Sequence, residues 1–171
     1  MAILPIIVAP DPRLKVKCEE LTHVEEEHVK LLDDMLDTMY DAPGIGLAAP
    51  QVGVTKRLIV IDVTESDGSR HTYKMINPKI TWFSNEVSNY EEGCLSLPEQ
   101  YANVIRPEQI CVEFLDNKGK SQTIDAKGVL ATCIQHEIDH LDGTLFVDHI
   151  TKLRRDLIIR KLKKYKSVIK P

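Results

Sequence analysis

Cys133-Ile134-Gln135-His136-Glu137-Ile138-Asp139-His140-Leu141 is the stretch of sequence that most constrains the fold. Apolar residues recur at helical spacing through it and just before it, which predicts a helix that starts after Asp125 as N-cap and ends at Asp142-Gly143. A spacing of four residues puts both histidines on one face of this helix, where they can bind one metal ion. The glutamate between them then lies beside whatever the ion holds.

This pattern favours a hydrolytic metalloenzyme, although a surface helix can carry two histidines by chance. A bound divalent ion can lower the pKa of water to about 7 while a carboxylate takes the proton. A catalytic metal usually has three protein ligands, so His136 and His140 need a third. The metzincin pattern places that ligand at Phe146, which cannot bind metal, and no glutamate follows Glu137 as it would in other zinc proteases. The remaining candidates lie upstream or among the following residues: Asp142, Asp148, His149 and Asp156.

The four cysteines show no paired spacing, so we expect free thiols in a reducing cytoplasm. Cys133 is too far along the helix from His140 to share its metal, and we interpret it as core or pocket lining. Cys18 and Cys111 are interpreted as structural. Cys94 follows a glycine that permits close backbone approach, and its neighbourhood is compatible with either a structural or a functional role.

The remaining pattern predicts an α+β fold, with antiparallel or mixed sheets around the central HExxH-bearing helix, an N-terminal helix and a C-terminal helix. A capping box at Thr22 and Glu25 starts the N-terminal helix. Strands, which are rich in β-branched residues, come before the main helix and do not alternate with helices. The predicted helices cover about 24–40 and 151–166, and the predicted strands 57–63, 73–80, 104–105 and 109–115.

With 171 residues the chain fits one domain, 1–171, and no apolar run reaches the roughly 20 residues that cross a membrane. Charge is unevenly distributed along the chain. Residues 151–171 carry nine basic residues and one acid, a net charge of +8, which leaves −12 on residues 1–150. The basic helix at about 151–166 is either a solvated face or a surface for an anionic partner.

Three segments together resemble the motifs of the bacterial peptide deformylases, in the order of that family. They are Gly44-Ile45-Gly46-Leu47-Ala48-Ala49-Pro50-Gln51, Glu92-Gly93-Cys94-Leu95-Ser96 and Gln135-His136-Glu137-Ile138-Asp139-His140. The resemblance extends over essentially the whole chain. It implies a monomeric cytoplasmic enzyme that removes formate from the N-terminal formylmethionine of newly made polypeptides. It also implies one Fe(II) ion per chain as the usual native metal, while Zn(II), Ni(II) or Co(II) suit the same ligands.

The resemblance further assigns roles to individual residues. Cys94, His136 and His140 would be the metal ligands and Glu137 the acid/base. The side chain of Gln51 and the backbone N–H of Leu95 would stabilise the oxyanion, a kind of contact that appears only in the transition state.

Substrate contacts are predicted from the positions of residues near these motifs. The backbone of Ile45 and Gly46 is expected to pair with an extended substrate, as in strand addition, with Gly93 nearby. Ile45, Val129 and Cys133 are candidates for the apolar slot that takes methionine, although plain core packing explains them equally well. Tyr101 stands where many relatives carry an arginine that helps to hold the substrate backbone. A basic terminal helix is also typical of bacterial forms and implies attraction to ribosomal RNA.

Two other functions compete with this reading. A zinc endopeptidase is disfavoured by Phe146 and by the absence of a later glutamate. A deformylase-like ribosome-binding module with a structural metal is disfavoured by Glu137 and Gln51, because neither is needed to close a structural site.

Overall fold

The computed structural model describes residues 2–169, which form three α-helices, a five-stranded sheet and a two-stranded sheet. The predicted α+β class is confirmed. The elements in chain order are α1 (Glu26–Asp41), β1 (Gly46–Ala48), β2 (Leu58–Thr64), β3 (Arg70–Phe83), β4 (Val87–Cys94), β5 (Leu97–Pro107), β6 (Gln109–Leu115), β7 (Ser121–Lys127), α2 (Gly128–Leu141) and α3 (Lys152–Ile169). Short 3-10 helices cover Pro12–Lys15, Ala49–Val52 and Phe146–His149.

Both sheets are antiparallel. The larger sheet has the order β1-β2-β3-β6-β7, and the smaller sheet pairs β4 with β5. Strand β1 is therefore an edge strand, with only β2 beside it in register Gly46↔Ile61. No strand in the described residues pairs with its other edge, which leaves main-chain groups of β1 available to a further extended segment.

Helix α2 is the centre of the structure because its sequence is apolar on most of its circumference. Ala131, Ile134 and Leu141 are fully buried against the core side of the five-stranded sheet. At its C-terminal end Gly143 has φ +75° and lies so close to the backbone of Lys15 that an added Cβ would be 2.5 Å from the Lys15 carbonyl oxygen. Only glycine suits that combination of a left-handed backbone and close approach.

Two predicted N-caps are wrong, although α1 begins within two residues of the predicted start. Asp125 lies in β7, where it pairs with Cys111 of β6, so it is not an N-cap. The strand continues to Lys127, which is the actual N-cap of α2. Gly128, with φ +62°, then makes the turn from strand to helix. The capping box at Thr22 is also wrong. The N-cap of α1 is Glu25, and its backbone N–H donates to His28 Nδ1 at 3.0 Å.

Several strands are longer than predicted, and three were missed, of which β1 has only three residues. Strands β4 and β7 were not predicted because they are rich in Ser, Asn, Asp and Glu and bury few of their residues. The short strand predicted at 104–105 is the middle of β5, whose ends contain Pro98 and Pro107. Helix α3 begins at Lys152, as predicted within one residue, and continues to Ile169.

Helix α3 is attached to the body by two buried residues. Ile158 and Leu162 pack with Leu14 and Phe146 in one hydrophobic cluster. Lys166 donates to the Pro10 carbonyl, and the other basic side chains described in α3 are exposed. Phe146 is thus a core residue, in agreement with its inability to bind metal. No helix in the described part of the chain has the length and apolar character needed to span a bilayer.

Candidate active site

Cys94, His136 and His140 converge at the centre of the molecule. Cys94 ends β4, where an irregularity in the pairing with β5 follows Gly93, and the two histidines lie one turn apart on α2. One potential ligand atom from each residue lies within 4.8 Å of the other two, and the Cys94 Sγ to His140 Nε2 distance is 3.3 Å. Within residues 2–169 this is the sole group of three such side chains close enough to share an ion.

These three residues fit a metal ion by their chemistry and by the contacts behind them. A thiol and two imidazoles are ligands that suit Zn(II), Fe(II), Co(II) and Ni(II). His136 Nδ1 lies 2.8 Å from Glu92 Oε1, so its other ring nitrogen remains for an ion. A carboxylate behind a ligating histidine is the usual support for such a ligand, since it fixes the ring and raises its basicity.

Glu137 lies beside the cluster in a buried position. Burial raises the pKa of its carboxyl to about 7. Its Oε2 atom is buried and accepts no hydrogen bond from the described residues. An added Cβ at Gly46 would be 2.5 Å from Glu137 Oε1, so glycine at 46 is what allows β1 to approach the carboxylate. The carboxylate is therefore free to exchange a proton with a group in the cavity.

Gln51 presents its amide nitrogen to Cys94. Its Oε1 accepts the Ala48 backbone N–H at 2.9 Å, which fixes the orientation of the amide. The Nε2 group then donates to Ser96 Oγ at 3.0 Å and lies 3.4 Å from Cys94 Sγ. Gln51 is 1% exposed, and Leu95 is half-buried in the segment between Cys94 and Ser96. The structure thus brings together the two residues that the resemblance assigns to the oxyanion.

A cavity of about 610 Å³ opens beside these groups. His140 is buried and does not line this cavity. The other predicted site residues all line it: Ile45, Gly46, Gln51, Gly93, Cys94, Leu95, Val129, Cys133, His136 and Glu137. Tyr101 also lines the cavity and its ring lies against Gly93, where an added Cβ would be 2.6 Å from Tyr101 Cε1. Among the described residues that line this cavity there is no lysine or arginine.

The other candidate ligands lie elsewhere. Asp142 forms an ion pair with Arg57, and Asp148 with Lys15. His149 contacts Asp139 rather than the cluster. Cys18 is buried and Cys111 half-buried, and both are free thiols away from the cavity.

Sequence reasoning missed the residues behind His136. Glu92 accepts from Arg106 Nε at 2.7 Å and from Arg106 Nη2 at 3.0 Å, and both side chains are buried. Burial alone would raise the pKa of Glu92, but hydrogen bonds from His136 and Arg106 lower it to about 2. Arg106 could have revealed these residues in the sequence. It occupies a buried position in the alternating pattern of β5, and a buried charge needs a partner of opposite charge.

Known proteins resemble this chain along nearly its full length. A model of the polypeptide deformylase family matches residues 3–156. A peptide deformylase from Agrobacterium fabrum is 51% identical over 164 residues, covering 96% of this chain and 96% of the relative. One from Rhizobium meliloti is 53% identical and covers 96% and 94%.

Solved structures agree with this similarity. The crystal structure of peptide deformylase from Ehrlichia chaffeensis has a TM-score of 0.93 at 43% identity and covers 98% of both chains. The same protein in complex with actinonin also has a TM-score of 0.93, at 45% identity, covering 96% of this chain and 98% of that one. The chain therefore belongs to the polypeptide deformylase family.

Proposed function

We propose that this protein removes the formyl group, as formate, from the N-terminal formylmethionine of newly synthesised polypeptides. Residues 1–171 would act as one catalytic domain, as a monomer in the cytoplasm. The observation that carries the proposal is the convergence of Cys94, His136 and His140 on one cavity that also receives Glu137 and the amide of Gln51.

Cys94, His136 and His140 would hold a single divalent ion, which we propose to be Fe(II) in the native protein. The donor set also accepts Zn(II), Ni(II) or Co(II), and the affinity order alone would favour zinc over iron. When bound, such an ion supplies Lewis acidity, which lowers the pKa of water to about 7 and polarises a carbonyl oxygen.

Glu137 would move the proton. Its carboxylate takes a proton from the attacking water and later gives that proton to the amine that leaves when the formyl amide breaks. Burial supports this role because it keeps the carboxyl away from solvent that would otherwise compete for the proton.

Gln51 and Leu95 would stabilise the negative charge that develops on the formyl oxygen. The hydrogen bond from the Ala48 N–H to Gln51 Oε1 fixes which end of the amide faces Cys94. The N–H₂ group, and not the oxygen, points toward Cys94. A donor oriented before the reaction costs no reorganisation when the charge appears, and losing one such donor costs roughly 10²- to 10³-fold in rate.

The peptide would bind as an added strand against β1. The edge position of β1 and the presence of Ile45 and Gly46 in the cavity wall support this arrangement. Val129 and Cys133 lie in the same wall, one helical turn apart, and would contact the methionine side chain.

Replacing Val129 by Trp should therefore reduce discrimination between formyl-methionyl and formyl-alanyl peptides. The larger side chain fills the slot, so the methionine substrate loses apolar contact of roughly 1–3 kcal/mol, or about 10-fold or more in kcat/KM, while the alanine substrate loses little. The kcat/KM ratio of the two substrates measures this effect. An unchanged ratio would show that Val129 does not line the slot.

The basic face of α3 is proposed to bind ribosomal RNA. Removing the helix would be a poor test, because Ile158 and Leu162 belong to the core. Reversing the exposed charges of Lys161 and Lys164 to Glu leaves those residues in place.

We expect this double variant to bind ribosomes at least about tenfold more weakly at low salt, because each contact to phosphate contributes to salt-dependent affinity. The matched control reverses Lys118 and Lys120, two exposed residues in the turn between β6 and β7. Co-sedimentation with ribosomes at several salt concentrations measures the difference. Equal binding by both double variants would exclude α3 as the contact.

The experiment that tests the reaction is formate release from formyl-Met-Ala-Ser by protein prepared without oxygen. Stoichiometric formate with an intact tripeptide is expected, and acetyl-Met-Ala-Ser should remain uncleaved. Cleavage between Met and Ala would instead identify an endopeptidase. Metal binding without any formate release would identify a binding module.

A further inference from the structure

We propose that Asp139 is a positioning residue that acts through Arg106 and Glu92 to set how strongly His136 binds the metal ion. This inference rests on the proposed metal site. It assigns a role to the one charged residue of the His136-Glu137-Ile138-Asp139-His140 motif that the reaction itself does not use.

The inner half of the connection is buried and fully paired. Glu92 lies between His136 and Arg106, with 2.8 Å to the imidazole Nδ1 and 2.7 and 3.0 Å to the guanidinium. A bidentate pair of this kind fixes both the position and the plane of the carboxylate. The orientation of the His136 ring therefore depends on where Arg106 lies.

The outer half of the connection lies outside the cavity, since Arg106, Asp139 and His149 are not among the residues that line it. Arg106 Nη1 donates to Asp139 Oδ2 at 2.8 Å, and the same oxygen lies 2.8 Å from His149 Nε2. Asp139 has 25% of its side chain exposed, whereas the side chains of Arg106 and Glu92 are 6% and 5% exposed. These contacts thus connect the proposed metal ligand His136, through Glu92, Arg106 and Asp139, to the partly exposed side chain of His149.

Competition between the two carboxylates gives Asp139 its effect. One guanidinium serves both Glu92 and Asp139, so Asp139 takes part of the positive charge that would otherwise act on Glu92 alone. Glu92 remains a stronger acceptor for the His136 N–H, and a stronger acceptor makes the imidazole a better ligand. Without the Asp139 charge, Arg106 should draw Glu92 toward itself and weaken the bond to His136.

The test is the affinity of Asp139→Asn for Zn(II), measured by competition with a chelator. We expect the dissociation constant to rise about tenfold, the lower end of the 10- to 100-fold effects seen for groups behind metal ligands, because Asp139 acts through two intermediates. The matched control is Asp142→Asn. That residue lies just beyond the same helix and also pairs with an arginine, Arg57, but its contacts do not reach His136. Its affinity should change less than twofold.

Thermal unfolding of the metal-free variants separates this effect from a loss of stability. An affinity of Asp139→Asn within twofold of the parent, or an equal loss in both variants, would overturn the inference. If Asp139→Asn does not fold, His149→Ala serves instead. Asp139 Oδ2 then accepts from Arg106 alone, so the dissociation constant should fall about two- to threefold, and an unchanged or higher value would contradict the inference. Failure of the parent protein to bind Zn(II) at all would contradict the proposed metal site rather than the role of Asp139.

Discussion

Replacing Glu137 by Gln should lower kcat/KM for formyl-Met-Ala-Ser by about 10²- to 10⁴-fold, the range typical of a lost general acid/base. The amide has nearly the shape of the carboxylate, so it fits beside Gly46, but it cannot take a proton from water. Because the proposed ligands Cys94, His136 and His140 are unchanged, metal content should remain at the parent level. Steady-state formate release and metal analysis of the same sample measure the two quantities.

The control for this variant is Glu113→Gln, an exposed glutamate of β6 that is outside the cavity. It should retain the parent rate. A Glu137→Gln protein that keeps its metal and loses less than about tenfold in rate would show that another group moves the proton.

Replacing Cys94 by Ala should abolish activity by removing a ligand. Two histidines alone do not close a site of this kind, since catalytic metals usually have three protein ligands. We expect the affinity for Zn(II) to fall by at least about 100-fold, the upper end of the effect of losing a group behind a ligand. The free thiol of Cys111 gives a matched control, and Cys111→Ala should bind metal as the parent does.

The free energy of unfolding of the metal-free Cys94→Ala protein should be close to that of the metal-free parent, because Cys94 is only half-buried. Loss of metal with an unchanged metal-free fold would therefore be a loss of a ligand. Parent-like affinity in Cys94→Ala would exclude Cys94 from the site.

Much of the fold could be predicted because the strongest periodic segments coincide with real elements. The pattern of Ile134, Ile138 and Leu141 required a buried helix, and α2 has that position. What failed depended on tertiary context. Asp125 has the residue type of an N-cap, but pairing with Cys111 keeps it in β7, and no local signal reports that pairing. Strand β4 is polar because most of its side chains are exposed or half-buried.

The part of the candidate site that lies within one short motif could be predicted from the sequence. Spacing alone placed His136 and His140 together, whereas Cys94 lies 46 positions from His140 and was proposed only through the resemblance. The carboxylates behind the site, Glu92 and Asp139, lie within the family motifs, but their partners could not be predicted from the sequence. Their role depends on Arg106, which no motif contained, so the connection became visible only in three dimensions.

The most direct measurement of the central claim is a titration of metal-depleted protein with Fe(II) under anaerobic conditions, with formate release from formyl-Met-Ala-Ser as the readout. The proposed site of Cys94, His136 and His140 would hold one ion, so the rate should start near zero, rise linearly and stop rising at one equivalent per chain. Full activity in the metal-depleted protein, or no formate at any metal concentration, would contradict the account.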